Sequence, residues 1–322
     1  RGIPLQEILP LSELAFPIVN LSELSEIEQA LQINHLAQQD AQVSFDLTQT
    51  PLIRAQLLRL NSTSHVLLLN VHHIASDGWS TNIIIAELFA YYQSFSTKTA
   101  ATLAPLPIQY ADFALWQRQY LTDESLGSQL EYWQNQLAGI PPTIELSTDR
   151  PRPAVQTFAG SSQSFQLSPE LTQKIKEIAR QSGATLFMTL LAAFGVLMHR
   201  YSRQEDLVIG FPIANRNYSE VESLIGFFAN TLALRIDLEG QPSFVQLLER
   251  VRRVALDAYA NQDLPFDKLV EKLQPERDLS YHPIFQVMFI WQNAPYYSPE
   301  LPELVVKPMR VESTAAKFDL TL

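Results

Sequence analysis

The segment 184–201 sets the tightest limit on what this chain can fold into. Leu186, Phe187, Leu190, Leu191, Phe194, Leu197 and Met198 recur so densely that no side of a helix built from them is polar enough to face water. Such a helix has to be enclosed by other layers, and that requires a large core. The chain can supply one. Its 322 residues are 46% hydrophobic and only 18% charged, which argues for one large domain or two of ordinary size and against disorder or a fibre.

The elements around that helix alternate in type. Ser25 and Glu28 form a capping box that predicts a helix over about 22–38, with Leu24, Ile27 and Leu31 on one face. Two strand-like runs follow, 53–60 and 65–72, separated by the polar turn Asn61-Ser62-Thr63-Ser64. Asp77-Gly78 breaks the second run, and a helix over about 79–95 places Ile83, Ile84, Leu88 and Tyr91 at helical spacing. The segment 110–138 is helical by pattern. Residues 139–153 carry Pro141, Pro142, Pro151 and Pro153 and form the best linker in the chain. The alternation then restarts. Ser168-Pro169 is a helix start with an N-cap and a proline at the first helical position, and Gly183 ends that helix. Strands are expected at 206–213 and 227–238, helices at about 243–262 and 265–273, and a last strand over 284–290. Residues 317–322 read as part of a further strand. The pattern predicts an α/β (α+β) protein with two lobes of similar kind, one on each side of the linker.

Several function classes are disfavoured by composition. A formal net charge of -11 argues against general nucleic-acid binding, which needs a basic stripe facing the phosphates. There is no cysteine, so disulfides, thiolate nucleophiles and Cys-ligated zinc are excluded. No uninterrupted run of 18 apolar residues predicts a membrane span. The start at Arg1-Gly2-Ile3 has neither an initiator Met nor a signal-peptide pattern, so a cytoplasmic piece of a longer protein is expected.

The informative segment is His72-His73-Ile74-Ala75-Ser76-Asp77-Gly78-Trp79-Ser80. On a strand, consecutive residues face opposite sides, so one histidine is presented to chemistry and the other is packed behind it. Gly78 permits a sharp turn and leaves room for a ligand. The helix that starts there aims its free N–H groups and positive dipole end at the same place. A base, a small residue and a helix N-terminus together suit acyl transfer: the base handles a proton and the N–H groups meet the developing oxyanion. Three plainer readings stand beside this one. The histidines are a satisfied core pair; or His72, His73 and Asp77 hold a metal, awkwardly given the opposite faces; or Asp77 is only an N-cap. His35, His65, His199 and His282 have no companions at ligand spacing and read as structural or surface residues.

His-His-x-x-x-Asp-Gly followed by Trp79-Ser80 resembles the signature of the condensation domains of non-ribosomal peptide synthetases. The wider chloramphenicol acetyltransferase-like superfamily shares it more loosely. Later blocks agree in order: Tyr110-Ala111-Asp112-Phe113-Ala114-Leu115-Trp116-Gln117, Asp149-Arg150-Pro151-Arg152-Pro153, Ile225 to Leu232, Leu264 to Val270, and His282 to Phe289. The resemblance covers essentially the whole chain. The family's opening blocks are absent and are expected to precede Arg1. Both histidines are present, unlike in heterocyclising relatives, and Trp79-Ser80 with the Asp149–Pro153 stretch looks more like the class that condenses an L-configured donor.

The resemblance implies a V-shaped pseudo-dimer of two acetyltransferase-like lobes, each a mixed sheet with flanking helices. The first lobe is 1–148, lacking its front and carrying the motif; the second is 149–322. It implies upstream and downstream peptidyl carrier protein domains docking at opposite mouths of a tunnel, an adjacent adenylation domain, and no directly bound cofactor or metal. The carriers' phosphopantetheine arms present the thioesters, and the acceptor amine attacks the donor carbonyl. His73 and Gly78 are the expected catalytic residues. His72, Asp77 and Arg216 are expected to be structural, with Asp77 paired to Arg216 of the second lobe. Trp79, Ser80 and Asn230 are expected to line the tunnel, although an amide at the position of Asn230 serves equally well as a backbone cap. Two other functions compete: a carrier-independent acyltransferase that uses acyl-CoA and a free amine or alcohol, and a non-catalytic docking or scaffold domain.

Overall fold

Two mixed β-sheets organise the computed structural model, which describes residues 5–10, 13–49, 51–275, 278–292, 301, 304–309, 311 and 314–322. The sheets fall in different compact units. One unit gathers the described residues of Arg1–Trp116, Arg216–Phe228 and Ala294–Ser313; the other gathers those of Gln117–Asn215, Ala229–Asn293 and Thr314–Leu322. Residues 139–153, where the sequence suggests the linker, lie wholly within the second unit.

In the first unit the strands are β1 (Ile18–Asn20), β2 (Ile53–Arg59) and β3 (His65–Val71), in the order β1-β2-β3. The β2–β3 hairpin is the expected one, with Ile53 opposite Val71 and Arg59 opposite His65. Its turn is closed by Asn61, whose side-chain oxygen accepts the Thr63 and Ser64 amides at 2.9 and 2.8 Å. β1 pairs with β2 in parallel, Ile18 opposite Leu57, and three residues are too few for alternation to reveal.

Helix α1 (Glu26–Gln42) begins at the capping box: Ser25 accepts the Glu28 amide and the Glu28 carboxylate accepts the Ser25 amide. Its core-facing side is not the expected one. Leu24, Ile27 and Leu31 are 38, 76 and 66% exposed, while Ile33 is buried with Leu21 and Leu58 and Leu36 packs beside them. Periodicity identifies an apolar face; it cannot say what covers it. Helix α2 (Gly78–Thr97) and the start of α3 (Tyr110–Tyr120) complete this unit, together with a four-residue helix, α7 (Ser219–Glu222). Phe113, Val221, Leu224 and Phe228 form a small separate core there.

The second unit carries α4 (Asp123–Gln136), α5 (Pro169–Gln181), α6 (Leu186–Ser202), α8 (Phe244–Ala260) and α9 (Phe266–Leu273). Its sheet is β5-β4-β6-β7, from β4 (Asp206–Ile213), β5 (Asn230–Asp237), β6 (Val287–Met288) and β7 (Leu320–Thr321). β4 is antiparallel to β5 and parallel to β6. The all-apolar helix is α6, with Leu191 and Ala192 fully buried among residues of β4, β5 and α8. Only its outer rim, including Leu197, reaches solvent.

Three expected elements change length. The pattern over 110–138 is two helices, because the hydroxyl of Thr122 caps α4. The strand expected from 227 starts at Asn230. The strand expected over 284–290 shrinks to Val287–Met288. Ile284 has φ 72°, outside the strand region, and the Gln286 side chain is spent on backbone, accepting from the Ile144 amide at 2.8 Å and donating to the His282 carbonyl at 2.8 Å. The Asp149–Pro153 stretch is anchored by Arg152, which makes a two-point ion pair with Asp319 and donates to the Ser280 carbonyl at 3.1 Å. Among the described residues no single helix is long and apolar enough to cross a membrane.

Candidate active site

His72 and His73 lie just beyond the end of β3, not on it. The His72 amide prolongs the ladder by donating to the Leu52 carbonyl at 3.0 Å, and the chain then turns, the Ala75 amide donating back to the His72 carbonyl at 2.9 Å. The turn, rather than strand alternation, separates the two rings. It also gives them opposite tautomers. Nδ1 of His72 lies 3.0 Å from the Ile74 amide, a donor, so Nδ1 is the acceptor and its lone pair is occupied. Nδ1 of His73 lies 2.8 Å from the Ser76 carbonyl, an acceptor, so it carries the proton and the basic lone pair is on Nε2. His72 packs edge-on against Phe45, while His73 is exposed and meets the ring of Phe227 at 5.3 Å.

The motif loop leads straight into α2. Asp77 is its N-cap, accepting the Ser80 amide at 2.8 Å. Among the described residues the Gly78 and Trp79 amides, in the first turn, have no acceptor. Gly78 is helical, so its backbone needs no special freedom. A Cβ built there would have no atom within 4 Å. The sharp-turn reading of this glycine does not hold, because the residue is already helical.

Asp77 does more than cap. Arg216 Nη2 donates to its Oδ1 at 3.2 Å, and the Phe228 amide donates to its Oδ2 at 3.0 Å. Both side chains of the pair are buried. Arg216 also donates to the Val221 and Leu224 carbonyls and stacks 4.0 Å over Phe228. Burial pulls the Arg216 guanidinium below its ordinary value, and Asp77 works in the opposite direction. Arg216 was expected from the second lobe; residues 216–228 belong to the same compact unit as the motif. Burial, helped by Asp77, raises the Tyr110 phenol nearby.

Three expected substrate-facing residues fare differently. Trp79 is 38% exposed and donates its indole N–H to the Glu222 carbonyl at 2.9 Å. Ser80 cannot touch a substrate, because it is fully buried. Its hydroxyl accepts from Arg216 at 2.7 Å and from the Gly226 amide at 3.1 Å and donates to the Gly226 carbonyl at 2.9 Å. Asn230 takes the backbone-cap role. Its amide donates to the Gln262 and Leu264 carbonyls, both at 2.9 Å, and its oxygen accepts the Phe266 amide at 3.0 Å. Among the described residues no group of three or more His, Asp or Glu could hold a metal ion. Tyr110 and Phe227 at the site escaped the sequence reading as functional residues. They lie 117 positions apart, and no local pattern signals their contact.

A family model described as a condensation domain matches residues 1–322. A linear gramicidin synthase from Brevibacillus parabrevis is 47% identical over 323 residues, covering 100% of this chain and 6% of that protein. Phosphinothricin tripeptide synthetase PhsC of Streptomyces viridochromogenes is 46% identical over 305 residues, covering 94% and 28%. Among solved structures, the X-domain from teicoplanin biosynthesis superposes with a TM-score of 0.87 at 29% identity, covering 98% of this chain and 70% of that one. The chain thus spans a small part of the length of the synthetases it matches.

Proposed function

This chain belongs to the condensation-domain family, and we propose that it forms an amide bond between a donor aminoacyl or peptidyl thioester and the amine of an acceptor aminoacyl thioester, both held on carriers. The observation that carries this reading is the contrast between the two histidines. The lone pair of His72 is taken by the Ile74 amide, and that of His73, on Nε2, has no donor among the described residues.

The chemistry asks little more of the protein. An α-amine has a pKa of about 8, so roughly a tenth is already neutral at pH 7 and able to attack a thioester. The nitrogen sheds its proton to His73 Nε2 as the tetrahedral intermediate forms; collapse breaks the C–S bond and expels the donor carrier's thiolate, which takes up that proton as the free thiol and returns the imidazole to its neutral form. The N–H groups of Gly78 and Trp79, at the positive end of α2, suit the oxygen that becomes negative. The open space at Gly78 leaves the main chain accessible to a reacting group. No nucleophilic side chain is needed, because both substrates arrive activated or nucleophilic. Proton transfer contributes about 10²–10⁴-fold, and holding the two tethered substrates together contributes further.

In this reading the partners are upstream and downstream peptidyl carrier domains and an adjacent adenylation domain, in the cytoplasm. The chain binds no cofactor of its own; the phosphopantetheine arms belong to the carriers. Two lobes remain in this reading, with the strands of one mixed sheet before residue 148 and those of the other after 149, although the compact units do not follow that boundary. Single-turnover amide formation with two loaded carriers tests the proposal. Product that forms equally well from acyl-CoA and a free amine would instead make this a carrier-independent acyltransferase, and no product with either pair would leave a docking role.

A further inference from the structure

The tripeptide Gly226-Phe227-Phe228 is tied down through four main-chain groups. The Gly226 amide and carbonyl both bond to the Ser80 hydroxyl, at 3.1 and 2.9 Å. The Phe227 carbonyl accepts from the Tyr110 hydroxyl at 2.9 Å, and the Phe228 amide donates to Asp77 at 3.0 Å. The approach is close enough to require glycine at 226, where an added Cβ would come within 2.2 Å of the Tyr110 ring. Phe228 is buried beneath Arg216 and against Phe113. The one side chain left over is that of Phe227, 42% exposed, and its ring lies edge-to-face on His73 with an interplanar angle of 76°.

His73 needs such a contact. Its one hydrogen bond among the described residues, from Nδ1 to Ser76, fixes where one ring nitrogen points and leaves the ring free to rock about that bond. A second contact on the ring removes that freedom and sets the direction of Nε2. We infer that Phe227 is a positioning residue for His73, and that Ser80, Tyr110 and Asp77 serve the site by strapping 226–228 in place so that the Phe227 ring meets the imidazole. This rests on the role of His73 proposed above. Ser80 and Tyr110 thereby gain a function that neither exerts by touching substrate.

The test pairs kinetics with a spectroscopic signature. Phe227→Leu keeps apolar bulk without the ring, Phe227→Tyr keeps the ring, and Tyr110→Phe removes only the hydroxyl that holds the Phe227 carbonyl. In the whole chain with two loaded carriers, Phe227→Leu should lower kcat about two- to tenfold, the scale of one aromatic pair, with KM for the carriers unchanged. Phe227→Tyr should restore it. In a His73→Ala background the Phe227→Leu change should add no further loss. Independently of activity, the NMR resonances of the His73 ring should change in linewidth as the ring gains freedom in Phe227→Leu, and by less in Tyr110→Phe, while the Nδ1–H tautomer set by Ser76 persists. Unchanged His73 resonances in both variants, or losses that multiply in the double variant, would overturn the inference. Should the wild type form no amide, the functional reading fails while the NMR arm still decides the positioning. Should Phe227→Leu fold poorly, Tyr110→Phe carries the test.

Discussion

The carboxylate of Asp77 and the guanidinium of Arg216 meet at 3.2 Å with both side chains buried, although 139 positions separate them in the chain. Asp77 caps α2, and Arg216 gathers the Val221 and Leu224 carbonyls, so one pair joins the motif loop to 216–228. Burying two charges is costly, and removing one partner strands the other. Asp77→Ala and Arg216→Ala should each cost about 3–5 kcal/mol in denaturant unfolding, and the double variant less than their sum. Additive losses would refute the coupling.

His73→Ala should lower single-turnover amide formation by about 10²-fold or more while leaving the melting temperature nearly unchanged, since the ring is exposed. His72→Ala should behave differently. It removes the contact to Phe45 and the bond from the Ile74 amide, and the residue has no free lone pair to lose. A smaller kinetic effect than that of His73→Ala is expected; equal losses would contradict the tautomer assignment.

Gly78→Ala separates space from folding. The methyl group meets no atom within 4 Å and the backbone is already helical, so stability should hold or rise by up to about 1 kcal/mol. Amide formation should nonetheless drop tenfold or more if the vacant volume serves the reacting groups. Thermal melting and single-turnover rates on the same preparation decide it.

Asn230→Ala should act on stability first. It removes an amide that bonds two carbonyls and an oxygen that accepts the first amide of α9, leaving those groups unpaired; a loss of about 2–4 kcal/mol is expected. A variant with normal unfolding but slowed condensation would return Asn230 to a substrate-facing role.

Tyr132 gives a prediction in alkali. Burial, aided by Asp257, pushes its phenol up to about 12, and its hydroxyl has no hydrogen-bond partner among the described residues. A pKa raised on folding means that the neutral form is favoured in the native state. This contribution is therefore complete below pH 10 and fades as pH rises from about 10 to about 12. Tyr132→Phe should flatten stability across that window and, by deleting an unsatisfied hydroxyl, raise stability at neutral pH by about 1 kcal/mol. Urea unfolding at pH 7, 10 and 11 provides the comparison.

Local chemistry was legible in the sequence. The Ser25–Glu28 box, the Ser168-Pro169 start of α5, the 61–64 turn and the enclosed α6 all lie where the residues imply, because each depends on bonds or periodicities within a few positions. The motif His72 to Ser80 was legible only as a resemblance to a family signature; its local geometry was not, since the two histidines sit on a turn beyond β3 rather than on the strand. Tertiary structure alone decided the rest. It turned Leu24, Ile27 and Leu31 outward, paired β1 with β2 and β4 with β6 in parallel, and buried Ser80 against Gly226. It also determined which histidine keeps its lone pair, through the acceptor at Ser76 and the donor at Ile74 that the turn sets beside each ring. A residue's type limits which bonds it can make; its partner is chosen by what the fold brings within 3 Å, and here that partner is often more than a hundred positions away.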